Sequence, residues 1–271
     1  GFKDALTEKL GDKVKFDEQN ASGEATNCTT ITSKFVSDKV DLIMANATDA
    51  LAAASQATAD IPIVATSITD YATALGISDW TGKTGFNVTG TADLAPLAEQ
   101  AAMLKELIPD AKNVGILYCS AEKNSKYQAD VITKELEALG MTVKVYTFVD
   151  TNDVTAVTQQ IVADACDAVF VPTDNTAASN TEAINNVLEP AKIPVIAGEE
   201  GICKGCGIAT LSISYYDIGY KAGEMAYEIL VNGKDPADME IEYAKELTKK
   251  YVADRATAVG ITIPEGYEPI A

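Results

Sequence analysis

This 271-residue chain carries one order of elements twice, and that constrains its fold more than any other feature. The first half reads as a helix ending near Gly11, a strand at VKF, a helix ending near Val40, then DLIMANATDALAAA and IPIVATSITD. The second half reads as a helix ending near Gly140, a strand at TVKVYTF, a helix ending near Ala165, then DAVFVPTDNTAAS and IPVIAGEEG. Both halves set an Asp before the third strand (Asp41, Asp167) and a Pro before the fourth (Pro62, Pro194). The short apolar runs Leu42–Ala45, Ile63–Ala65, Val114–Tyr118, Thr142–Tyr146, Ala168–Val171 and Val195–Ala197 are continuous rather than alternating. Such runs, separated by segments of helical spacing such as Leu94–Ile108 and Ser125–Leu139, indicate strands buried on both faces of parallel sheets. The reading is α/β, with two similar doubly wound lobes.

The halves differ at one place. NVGILY opens the second half as a strand, whereas the first begins directly in its helix at Gly1, so the first strand of lobe one is missing from this chain. An unfilled position of that kind leaves unpaired backbone and an exposed apolar slot. After Gly207 the order changes: a strand in IATLSISYY, a helix over Asp217–Val231, the turn-rich NGKDPAD, then IEYAKEL, KKYVADRATAVGI and TIPEGYEP. With two lobes already complete, these late segments are expected to cross between them three times. That places lobe one at residues 1–90 with 214–238 and lobe two at 91–213 with 239–271. A three-crossing hinge generally serves closure around a ligand.

Composition removes whole classes of function. There are 40 acidic and 21 basic residues, a formal charge of −19, no histidine, and a single arginine, Arg255. Histidine-based catalytic triads and His-ligated zinc cannot be built. The acidic field repels nucleic acid. No run approaches the roughly 18 apolar residues of a membrane span. Gly1, with no signal pattern behind it, predicts a processed or trimmed chain. Of five cysteines, Cys203 and Cys206 form a CxxC in GICKGCGI. Without a second pair or a histidine it is not a zinc site, and its flanking glycines predict a loop, clipped by a disulfide or carrying two free thiols. No cofactor is implied.

Ligands of open parallel sheets lie beyond the carboxyl ends of the strands. In lobe one that rule selects Asn46, Ala47, Thr48 and Asp49, then Thr66, Ser67 and Thr69. In lobe two it selects Ser120, Glu122, Asn124 and Ser125, then Thr173, Asp174 and Asn175, then Glu199 and Glu200. Any one of these Ser, Thr or Asn residues is as well explained by helix capping, but together they converge on one cleft. Lobe one offers hydroxyls and helix N-termini, which hold an anion without arginine. Lobe two offers carboxylates, suited to a cation or to sugar hydroxyls. A ligand with a carboxylate beside an ammonium matches this polarity, and Tyr71, Phe86, Tyr127, Tyr215 and Tyr216 are candidates for an apolar wall.

The runs GFKDAL, KFVSDKVDLIMANAT, DIPIVATSITD, NVTGTADL, VGILYCSAEKNSKYQ, VFVPTDNTAAS, IPVIAGEEG, ATLSISYYDIGYKAGEMA and AVGITIP cover nearly the whole chain. In that order they resemble the bacterial ABC-transporter substrate-binding proteins of type I periplasmic-binding fold, in the family with tryptophan- and phenylalanine-binding members. The resemblance implies an extracytoplasmic receptor, in the periplasm or as a cell-surface lipoprotein. It would close on an amino acid, aromatic first, and deliver it to the membrane permease of an ABC importer. It implies carboxylate contacts at Thr48, Thr66 and Ser67, and ammonium and closure contacts at Asp174 and Asn175 with Glu199 or Glu200. Ser120, Asn124 and Ser125 would line the entrance of lobe two. Other readings are the same receptor for a branched-chain amino acid, a sugar or a nucleoside, and the sensing domain of a larger receptor. A carboxylate-based hydrolase using Asp174, Glu199 and Glu200 is the least supported, because adjacent residues point apart and no other catalytic motif is present.

Overall fold

A computed structural model describes residues 1–270. It divides into two compact units, Gly1–Leu94 with Ser214–Lys245 and Ala95–Ile213 with Glu246–Ala271, so the chain passes between them three times. We refer to them as lobe one and lobe two.

Lobe one begins with helices α1 (Phe2–Leu10) and α2 (Ala25–Asp38), then strand β1 (Ile43–Asn46), α3 (Thr48–Ala57), β2 (Ile63–Ile68), α4 (Tyr71–Leu75) and β3 (Val88–Ala92). Lobe two follows with α5 (Leu97–Leu107), β4 (Asn113–Cys119), α6 (Lys123–Ala138), β5 (Thr142–Phe148), α7 (Val154–Ala163) and β6 (Ala168–Val171). It continues through α8 (Asn175–Ala178), α9 (Thr181–Leu188), β7 (Val195–Ala197), α10 (Glu200–Cys206) and β8 (Ala209–Ser212). The chain returns to lobe one for α11 (Tyr215–Leu230) and β9 (Glu242–Tyr243), and ends in lobe two with β10 (Thr248–Tyr251), α12 (Ala253–Val259) and β11 (Glu268–Pro269).

The sheet of lobe two runs β11-β10-β8-β7-β6-β4-β5. Strands β5, β4, β6, β7 and β8 are parallel, and β10 is antiparallel to β8. Every residue of β6 and β7 is buried, which explains why their sequences read as unbroken apolar runs. Leu117, Phe148, Val169, Val195 and Ile202 pack into one core beneath them.

The sheet of lobe one is shorter, β1-β2-β3-β9, and all of its pairs are parallel. Helices α1 and α11 cover one face. Phe2 and Leu6 meet Ala222, Met225, Ala226 and Ile229, whose spacing lays one apolar stripe along α11. The Ser214 hydroxyl starts α11 by accepting the Asp217 N–H. Leu51, Ala54 and Tyr71 cover the other face over Ile43, Ala45 and Ile63.

Two local expectations are corrected. Val14–Phe16 is extended but forms no strand. Its counterpart β5 pairs only with β4, and among the described residues lobe one shows no strand equivalent to β4. The CxxC lies on the short helix α10 rather than in a loop, and its thiols are free and buried. Burial pushes both thiols well above the ordinary cysteine range, so they behave as small apolar core residues.

Candidate functional site

In lobe one the carboxyl ends of β1 and β2 hold two backbone strains side by side. Ala47 links β1 to α3 with φ 75° and ψ 163°, a conformation otherwise left to glycine. Ser67, at the end of β2, has φ 56°. The Ala47 N–H donates to the Thr66 carbonyl at 3.1 Å, which pins the two turns together.

The strain at Ser67 has a visible cause. The β2–β3 register shifts between Ala65 and Ile68, so β2 bulges at Thr66–Ser67. Across the bulge lies Gly90, with φ 148°, where a Cβ would come 1.9 Å from the Ala65 carbonyl oxygen. The buried Tyr71 hydroxyl fills the irregularity, sharing its proton between the carbonyls of Ala65 (3.0 Å) and Thr91 (3.2 Å). Tyr71 is therefore a structural plug and not an apolar wall.

These turns decide which hydroxyls of lobe one are already engaged. Thr66 is hydrogen-bonded to the Thr91 hydroxyl at 2.9 Å, and Thr69 donates to Asp93 at 3.2 Å. Tyr215 donates to the other Asp93 oxygen at 3.1 Å, so this buried carboxylate joins the end of β3 to the start of α11. By contrast, the cap position of α3 is Ala47, which has no side-chain acceptor and makes no side-chain cap hydrogen bond, and Asp49 places a carboxylate in the first turn. Thr48 occupies the first position of this ten-residue helix. Among the described residues, no internal hydrogen bond engages the hydroxyls of Thr48 or Ser67.

Lobe two closes its strand ends with its own carboxylates. Glu122, between β4 and α6, accepts the N–H groups of Asn175 (2.9 Å) and Thr176 (2.8 Å), the Asn175 amide (3.0 Å) and the Thr176 hydroxyl (2.8 Å). Asp174 accepts the Cys119 N–H at 2.7 Å and caps α8 through the Ala177 N–H at 2.7 Å. Burial, reinforced by the Glu122 charge, pushes its carboxyl up to about 6. Asn124 donates to Glu122, to Ser125 and to the Thr173 carbonyl, and the fully buried Ser125 lies in the same network. Gln128 brackets Thr173 from the other side by accepting its N–H at 3.0 Å and donating to its carbonyl at 3.1 Å.

The next loop is closed in the same way. Gly198 lets the ends of β6 and β7 approach, since a Cβ there would stand 2.6 Å from the Thr173 nitrogen. Glu199 caps α10 through the N–H groups of Gly201 and Ile202, and burial raises its carboxyl above the usual range. Glu200 accepts from Lys250 (2.7 Å) and Ser212 (2.8 Å), and the Lys250 ammonium holds it below the usual range. Ser120 is exposed and donates to the Phe148 carbonyl at 3.2 Å. Arg255 donates to the carbonyls of Cys203, Lys204, Gly205 and Gly207, capping the far end of α10.

The ten residues that the resemblance implies sit at or just beyond strand carboxyl ends, and they differ in how far they are engaged. Thr48 and Ser67 carry unengaged hydroxyls, and Thr66 is shared with the interior. Asn124, Ser125, Asp174 and Glu199 are committed within lobe two, whereas Ser120, Asn175 and Glu200 have partners yet keep some exposure. Sequence reasoning missed Asp93 and Gln128. Asp93 follows the VTGTA strand directly, so the strand-end rule was a signal that could have found it; nothing in the sequence pairs Gln128 with Thr173. Among the described residues no group of three or more Cys, Asp and Glu side chains is arranged to hold a metal ion.

Known proteins carry the same architecture. Residues 1–267 match the family model described as ABC transporter substrate binding protein. A tyrosine-binding protein of Clostridioides difficile (strain R20291) is 38% identical over 244 residues, 89% of this chain and 70% of that protein. A Streptococcus pneumonia ABC domain solved in complex with L-Trp superposes with a TM-score of 0.92 at 30% identity, covering 100% of this chain and 93% of that one. The ligand-free, open structure of a substrate binding protein with adhesive properties from Clostridium difficile gives 0.76 at 34% identity, with 99% and 92% covered. With a match over nearly its whole length, two parallel-sheet lobes and polar groups gathered at their strand ends, this chain belongs to the ABC-transporter substrate-binding protein family.

Proposed function

We propose that the protein is the receptor of an ABC importer for an aromatic amino acid, with tyrosine and tryptophan first and phenylalanine next. The observation that carries this reading is the uncapped N-terminus of α3 beside the unengaged hydroxyls of Thr48 and Ser67. A helix of ten residues ends there in N–H donors and a partial positive charge, which suit a carboxylate in a chain whose one arginine is occupied elsewhere. The equivalent helix of lobe two, α8, is already capped by Asp174, so the ligand carboxylate is assigned to lobe one. On lobe two, Asn175 and Glu200 keep some exposure and are the candidates for the ammonium, whereas Asp174 is buried with both oxygens engaged. The relatives named for tyrosine and solved with L-Trp support an aromatic side chain.

The role is transport and not catalysis. The receptor acts outside the cytoplasm, held at the cell surface by a lipid anchor or free in a periplasm, and hands its ligand to the membrane permease. Calorimetry on protein unfolded and refolded to remove carried-over ligand tests the assignment. L-Tyr or L-Trp is expected to bind with Kd below about 100 µM, roughly −5.5 kcal/mol. Absence of binding for all three aromatic amino acids, with binding of leucine or a sugar, overturns it.

A further inference from the structure

Strained Ser67 is bracketed by two hydrogen-bonded chains that converge on the first turn of α11. On its amino side the Thr66 hydroxyl is bonded to that of Thr91 at 2.9 Å, and Thr91 donates to the Ile218 carbonyl at 3.1 Å. On its carboxyl side the Ile68 carbonyl accepts the Asp93 N–H at 3.1 Å, and the Thr69 hydroxyl donates to one Asp93 oxygen at 3.2 Å. The other Asp93 oxygen accepts the Tyr215 hydroxyl at 3.1 Å. Asp93 and Thr69 are buried, where water competes little for such bonds.

Asp93 also stands beside every segment by which the chain leaves or enters lobe one. It precedes Leu94, the last residue before the first departure, and Tyr215 follows Ser214, the first residue after the return. Its neighbour Ala92 is in register with Tyr243 of β9, close to Lys245, where the chain departs again. Hinges are a few element-terminal residues that absorb the backbone change on closure. A carboxylate between two such residues is a rigid link, because its oxygens cannot move independently. A shift of Thr69 at one oxygen is passed to Tyr215 at the other.

We propose that Asp93 is a positioning residue for ligand retention: through Thr69 and Tyr215 it couples the Ser67 turn to the segments that leave and re-enter lobe one. This role rests on the reading that the ligand is received at Ser67, whichever amino acid is carried. Ligand at Ser67 fixes Thr69, the carboxylate and Tyr215 in one arrangement. With either hydroxyl missing, the turn still receives the ligand but no longer sets the hinge segments, and the ligand is held less tightly.

Asp93→Ala strips both hydroxyls of their acceptor at once, so the test cuts the outer links singly and together: Thr69→Val, Tyr215→Phe and the pair. Tyr220→Phe is the control, because its hydroxyl lies on the same helix but donates to the exposed Glu8 at 2.7 Å. Calorimetry with L-tyrosine reads affinity, and urea midpoints of the ligand-free proteins read stability. Links in series do not add: each single variant should bind about fivefold more weakly and the double variant also about fivefold, instead of about 25-fold. Tyr220→Phe should bind as the native chain does. Native affinity in either single variant overturns the role, whatever happens to the midpoints, since a purely structural tie moves stability alone. A loss in the double variant equal to the product of the single losses also overturns it, making Thr69 and Tyr215 separate contacts, as does an equal loss in Tyr220→Phe. If the native chain binds leucine or a sugar and no aromatic amino acid, the reading of the ligand fails, and the same cycle run with that ligand still decides the role of Asp93. A native chain that binds none of them overturns both.

Discussion

The two lobes repeat one order of elements and differ at one joint. In lobe two the helices after β6 and β7 are capped by Asp174 and Glu199, and Glu122 reaches across from the β4–α6 loop to hold α8. In lobe one Asp70 likewise caps the helix after β2, but the helix after β1 has Ala47 at its cap position, strained and without a side-chain acceptor. Counting from Asp41 and Asp167, strained Ala47 stands where lobe two has Thr173, which is not strained. A helix N-terminus that supplies its own anion is a structural joint; one that does not is available to a ligand. Of the two equivalent positions, only the one before α8 has a cap side chain.

The largest test of that contrast removes the joint. Glu122→Ala deprives two backbone N–H groups, one hydroxyl and two side-chain amides of their acceptor. A loss of about 3 kcal/mol is expected, read from denaturant midpoints, because donors left without partners carry most of the cost. A loss under about 0.5 kcal/mol would show that the network is ornamental and the contrast between lobes overstated.

Asp174 gives the next largest effect, and its sign follows from linkage. Its carboxyl, at about 6 in the folded chain against an ordinary 3.8, binds its proton more firmly folded than unfolded. Its contribution to stability is thus greatest below about pH 4, falls as pH rises from about 4 to 6, and is flat above. The fall is at most on the order of 3 kcal/mol. Urea midpoints between pH 4 and 7 should show that slope in the native chain and a shallower one in Asp174→Asn. Identical slopes would mean that Asp174 is not the buried acid of lobe two.

Much of this could be read before any coordinates. The repeated order gave the parallel strands of both lobes, because strands buried on both faces leave unbroken apolar runs such as Ala168–Val171 and Val195–Ala197, which return with those same bounds. The strand-end rule found the candidate residues, since it depends on topology and not on side-chain detail. What stayed illegible were partners: nothing in the spacing says that Glu122 bonds to Thr176, or that Asp93 holds Thr69 and Tyr215. Val14–Phe16 has strand composition, but a strand requires a neighbour, and pairing is not encoded in the segment itself. The CxxC failed similarly, because its flanking glycines suggested a loop where Glu199 at one end and Arg255 at the other stabilise a helix.

Strain offers a smaller test of the same contrast. Ala47→Gly relieves a conformation that costs an alanine about 1–2 kcal/mol and should raise the melting temperature. Thr173→Gly, at the equivalent place in lobe two, should lower it, because there a glycine only adds unfolded-state freedom. Changes of the same sign in both variants would break the distinction.

The smallest expected effect is the most telling, because it separates binding from folding. The Ser67 hydroxyl has no internal partner among the described residues, so Ser67→Ala should leave the denaturant midpoint unchanged while weakening aromatic amino acid binding about fivefold, near 1 kcal/mol. Glu199→Gln should do the reverse in part: it weakens a helix cap with a measurable stability loss before any effect on affinity. If Ser67→Ala shifted stability and left affinity intact, the open end of α3 would be a structural feature after all, and the ligand carboxylate would have to be sought among other donors of lobe one.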